Sequence, residues 1–163
     1  MPANRQVTKA VSDVLNLAPR KGEVTVQRLV EAVGQHRGRP IDIRMADLPS
    51  GVCGEWRQYA DDDVFVIQQG LPTWERTLAH ELGHLVLGHA GIPVTEAARG
   101  SVEIASDDLI SYMLNQRTGC MGPSGADAEQ EAEDFAALLI YRLGRMPSDR
   151  SSLVQVRLGE AFG

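Results

Sequence analysis

The sequence predicts an α+β domain, mostly helical, with a small, largely antiparallel three-stranded sheet. Three observations predict it. Apolar residues recur at three- and four-residue spacing in runs near both ends of the chain and before Gly88. Between residues 41 and 68 the pattern changes to short alternating or continuous apolar runs. Gly-, Pro- and Asp-containing breaks separate the two kinds of segment. At 163 residues, 43% of them apolar and 23% charged, the chain suits a single globular domain over 1–163.

Val7, Val11, Val14 and Leu15 place a first helix within residues 1–22, ended by Pro19 and Gly22. Thr25 is a candidate N-cap for a second helix through Leu29, Val30 and Val33 to about Gly34 or His36. Ile41 and Ile43 flank Asp42 in a short strand, and Pro49-Ser50-Gly51 punctuates it. Two further strands are expected over 52–59 and 64–68, joined by an Asp-rich turn at Ala60–Asp63. Thr73 then caps a helix to about Leu87, with Gly88 as its terminator. Beyond it, 102–115 has helical character, Gly119–Gly125 reads as a loop, and a long helix runs from about Asp127 to Leu143 or Gly144. Pro147 breaks that helix, and Ser148 or Asp149 caps a last one over 148–163.

Composition excludes several classes of function. A net charge of −6 with scattered basic residues argues against a direct nucleic-acid surface, and the Arg37, Arg39, Arg44 run reads as a solvated turn. The first two helices therefore read as packing elements rather than a helix-turn-helix reader. No segment has the roughly 20 apolar residues of a membrane span, and the first residues lack a secretory core. A cytoplasmic location is the expectation. Cys53 and Cys120 are too few for a disulfide framework and read as reduced thiols.

The chemistry concentrates in His80-Glu81-Leu82-Gly83-His84. On a helix, residues four apart lie only ~40° apart around the axis, so both imidazoles can reach one metal ion. Zinc accepts such nitrogen ligands at about 2.0–2.1 Å. Glu81, roughly a quarter-turn from His80, stands beside the metal, where a carboxylate can act as general base on a water. Leu78, Leu82, Leu85 and Val86 supply an apolar stripe, so the helix is partly buried and its polar trio needs a partner.

A catalytic zinc takes a third protein ligand and keeps one position open. His89 lies five residues beyond His84, about 140° around the helix, and reads as a C-terminal histidine favoured by the helix dipole. The preferred third ligand is Glu129, which shares a helix side with Ala132 and Glu133. Glu133 is expected to hydrogen-bond the other ring nitrogen of a ligand histidine, and it is the next candidate ligand. Glu131 is expected to face solvent.

Thr77–Leu87 followed by Glu129-x-Glu131-Ala132-x-x-Phe135-Ala136-x-Leu138-Leu139 resembles the ImmA/IrrE family of metallopeptidases, and the likeness extends from about Val24 to Leu143. The resemblance implies a zincin-like fold, its sheet beside the zinc helix, and a catalytic core over 24–145. It implies zinc held by His80, His84 and Glu129, with Glu81 catalytic. It further implies a regulator that cleaves a separately encoded DNA-binding repressor, of helix-turn-helix type, under stress or in phage and mobile-element control. A zinc-containing protein-binding regulator or toxin–antitoxin-like component without proteolytic activity is the alternative.

Overall fold

The first helix, α1 (Arg5–Asn16), starts where the Asn4 side chain accepts from the Gln6 backbone N–H, and it buries Val7, Val11 and Val14. In α2 (Val26–Arg37) the Thr25 hydroxyl accepts from the Arg28 N–H, and Gly38 closes the helix at φ 64°. Leu29, Val30 and Val33 face the core, as their spacing requires. These elements belong to a computed structural model that describes residues 4–93 and 125–147. The expected helical stretch at 102–115, the loop with Cys120 and the helix over 148–163 lie outside the described residues.

The sheet is mixed. Strands β1 (Ile41–Ala46), β2 (Gly54–Gln58) and β3 (Asp63–Gln68) are joined by a two-residue edge strand, β4 (Ile92–Pro93), in the order β1-β3-β2-β4. The β2–β3 hairpin is antiparallel, with Trp56 opposite Phe65. However, β1 runs parallel to β3, with Ile43 opposite Phe65, and β4 runs parallel to β2. The expected largely antiparallel three-stranded sheet is thus corrected. The 47–53 connection is long enough to carry the chain past one strand position, so β3 inserts between its two predecessors. The physical reason lies in β3 itself: Asp63 to Ile67 are all buried, and so apolar a strand is most stable where neighbours cover both edges and both faces.

The turn before β3 also differs from expectation. Asp63 is its first strand residue and is fully buried, accepting from Arg39 Nε (2.8 Å), Arg37 Nη1 (3.1 Å) and Trp56 Nε1 (3.0 Å). Two of the three arginines assigned to a solvated turn therefore serve a buried carboxylate. That contact, with the charges of Asp62 and Asp61, holds the Arg39 guanidinium above its ordinary pKa.

One apolar core joins the helices to the α-facing side of the sheet, with Leu29, Phe65, Ile67, Leu78, Leu82, Phe135 and Leu139 at its centre. Helix α3 (Trp74–Val86) crosses it between the sheet and α4 (Gly125–Leu143). Two glycines allow the close approaches. A Cβ on Gly54 would lie 2.7 Å from Thr77 Cγ2 and 3.0 Å from Glu81 Oε1; one on Gly83 would lie 3.0 Å from Phe135 Cδ1 and 3.2 Å from the Ala132 carbonyl. The sheet and α4 are thereby brought against opposite sides of the same turn of α3.

Candidate metal centre

Burial of Leu78, Leu82 and Leu85 fixes the rotation of α3, and with it the direction of His80, Glu81 and His84. On α4, burial of Ala128, Ala132, Phe135 and Ala136 does the same for Glu129. His80, His84 and Glu129 each turn one ligand atom to a common point, all within 4.8 Å of one another. His80 Nε2 is 3.0 Å from His84 Nε2 and 3.2 Å from Glu129 Oε2, while His84 Nε2 is 3.3 Å from Glu129 Oε1.

This donor set fits a metal ion. Two imidazole nitrogens 3.0 Å apart cannot both carry protons without opposing each other, and two bare lone pairs facing a carboxylate concentrate negative potential. A cation at the centre satisfies all three. A proton is the partial substitute: burial lowers the His80 pKa, but the Glu129 hydrogen bond and the charges of Glu81, Glu129 and Glu133 outweigh it, and the net shift is upward.

Glu81 lies on the same helix turn and is buried. Burial pushes its carboxyl up to about 7; His80 opposes the shift, and the negative neighbours Glu129 and Glu55 reinforce it. Glu55, on β2, is buried too: Arg57 bonds one of its oxygens (2.9 Å), and the other has no hydrogen-bond partner among the described residues. A carboxyl poised near neutrality is suited to exchange protons in both directions.

The remaining sequence-predicted residues sort around this centre. Glu133 Oε2 lies 3.5 Å from His80 Nδ1, on the side away from the nitrogen that faces His84 and Glu129, and the Arg76 hydrogen bond holds its pKa below the usual carboxylate range. His89 is not among the converging ligands. Its Nδ1 lies 2.9 Å from His84 Nδ1, and its Nε2 lies 3.1 Å from Glu131 Oε2. The reading of Glu131 as solvent-facing is corrected: its side chain is half-buried, engaged by His89 and by Asn4 Nδ2 at 2.8 Å. Sequence reasoning missed this chain, Arg76 and Glu55. For His89, helical geometry was the wrong guide, because the helix ends at Val86 and Gly88 turns the backbone at φ 78°.

No protein-family model matches the chain, and no curated protein matches it. Among the described residues no helix is long and apolar enough to cross a membrane.

Proposed function

We propose that the protein is a zinc-dependent endopeptidase, with His80, His84 and Glu129 as zinc ligands and Glu81 as the catalytic residue. The observation that carries this reading is a buried, near-neutral carboxyl one residue from a converging two-histidine, one-glutamate set. Two imidazoles and one carboxylate match catalytic zinc, which keeps a position for water or substrate. When bound, zinc supplies Lewis acidity to a water and to the scissile carbonyl.

The protein's own residues do the rest. Glu81 takes a proton from the attacking water on a carboxylate oxygen and returns it to the departing amine nitrogen. Its burial keeps bulk water from levelling that exchange. Glu133 holds His80 through Nδ1, with Arg76 fixing the Glu133 carboxylate in turn. The motif resemblance extends the proposal to a zincin-like peptidase of the ImmA/IrrE type, located in the cytoplasm, whose substrate is a separately encoded helix-turn-helix repressor. The acidic balance of the chain favours a protein partner over direct contact with nucleic acid or membrane.

Glu81→Gln tests the assignment. The variant is expected to keep stoichiometric zinc, by elemental analysis, and to lose about 10²–10⁴-fold in cleavage of a co-expressed repressor. Full cleavage by the zinc-loaded variant would remove Glu81 from the chemistry. An undiminished biological effect without cleavage would favour the protein-binding regulator.

A further inference from the structure

Behind His84, on the side away from the converging ligands, runs a second line of polar groups. His84 Nδ1 meets His89 Nδ1 at 2.9 Å, His89 Nε2 meets Glu131 Oε2 at 3.1 Å, and Asn4 Nδ2 reaches Glu131 Oε1 at 2.8 Å. We propose that His89 and Glu131 are positioning residues that hold His84 as its Nδ1–H tautomer, so that the Nε2 lone pair faces His80 and Glu129. The consequence for metal affinity rests on the metal-site reading above; the tautomer assignment does not.

Proton counting gives the direction. A carboxylate only accepts, so Glu131 requires a proton on His89 Nε2. In a neutral imidazole that leaves His89 Nδ1 as an acceptor. The partner 2.9 Å away, His84 Nδ1, must then donate, and His84 Nε2 is left with its lone pair. Each contact in the line holds one proton, and no other distribution with neutral rings satisfies Glu131. The Asn4 amide donates to the remaining Glu131 oxygen and orients the carboxylate from the start of α1.

The backbone delivers His89 to this place. Gly88 adopts φ 78°, and the His89 N–H donates to the His84 carbonyl at 2.9 Å, the six-to-one bond of a helix-terminating turn. The stop signal of α3 therefore folds His89 back beneath the ring that it orients. Only about a tenth of the His89 side chain remains exposed, so water competes weakly for the His84 bond.

Two readouts test the assignment, neither of them enzymatic. In the metal-free protein labelled with ¹⁵N-histidine, long-range ¹H–¹⁵N correlations above the histidine titration range should show His84 protonated on Nδ1. His89→Ala should shift His84 towards the Nε2–H form that free imidazole side chains favour. Zinc affinity, by chelator competition, should fall about 10–100-fold in His89→Ala. His89→Gln, whose amide oxygen can accept from His84 Nδ1–H, should recover part of that loss. Glu131→Gln should weaken zinc several-fold; should His89→Ala fail to fold, it decides the matter by the same two readouts. A wild-type His84 protonated on Nε2, or an unchanged tautomer and zinc affinity in the variants, overturns the proposal. Wild-type protein that binds no zinc, yet shows the tautomer and its shift, would sink the metal reading and support this one.

Discussion

Asp63 and the His80–His84–Glu129 cluster both place polar atoms inside an apolar core, yet they balance charge in opposite ways. Around Asp63 donors converge on an acceptor: Arg37, Arg39 and Trp56 satisfy one carboxylate from three sides. Around His80 and His84 acceptors converge on one another, with Glu81 and Glu55 adding buried carboxyls nearby. The first cluster is complete within the protein and locks α2 to the start of β3. The second brings together a set of ligand atoms that could hold a cation. A buried polar cluster thus reveals its role by whether its donors and acceptors cancel.

Exchanging the two behaviours gives the largest expected effects. Glu129→Ala should abolish stoichiometric zinc retention by elemental analysis while leaving the fold intact. Asp63→Ala should do the reverse, retaining zinc in the folded fraction but losing about 3 kcal/mol in urea unfolding. The value sits at the low end for breaking a buried ion pair because Arg37 and Arg39 keep some contact with solvent. Full zinc in Glu129→Ala would move the third ligand to Glu133, and an undiminished Asp63→Ala midpoint would deny that cluster its structural role.

A comparable effect is expected from Glu81 without metal. Its folded-state pKa, about 7, lies above the ordinary 4.5, so the folded state holds the proton more tightly than the unfolded chain. The associated stability is present below pH 4.5 and is lost as pH rises through 7. Chelator-treated Glu81→Gln should therefore exceed wild type by up to roughly 3 kcal/mol above neutrality, the gap narrowing on acidification. Parallel pH–stability curves for the two proteins would show that burial does not strain Glu81.

The smallest effect belongs to Glu133. Nearly half of its side chain is exposed, and its 3.5 Å approach to His80 is loose. Glu133→Gln should weaken zinc by less than about 10-fold, at or below the low end for groups supporting a metal ligand. A loss larger than that of His89→Ala would reverse the ranking of the two supports and make the exposed one dominant.

The four described helices were legible because each repeats its apolar residues at helical spacing and has a recognisable boundary nearby: Pro19 for the first, Thr25 for the second, Gly88 for the third and Pro147 for the fourth. His80, Glu81 and His84 were legible for the same reason, since a helix fixes neighbours four residues apart. Glu129 was placed on its helix face and preferred to Glu133 from the sequence, but its distance from the histidines was not legible there. The close approach of Phe135 to Gly83 brings α4 against α3 where the Glu129 turn meets His80 and His84.

Strand order, the burial of Asp63 and the line from His84 through His89 and Glu131 to Asn4 were decided by tertiary structure alone. The sequence by itself determined local periodicity, caps and the spacing of side chains within one helix, because those depend on a backbone geometry that every helix shares. It left open which strand takes the centre of the sheet, and where a histidine beyond a helix end will point. Those outcomes depend on contacts between segments far apart in the chain, whose geometry follows from packing the whole core.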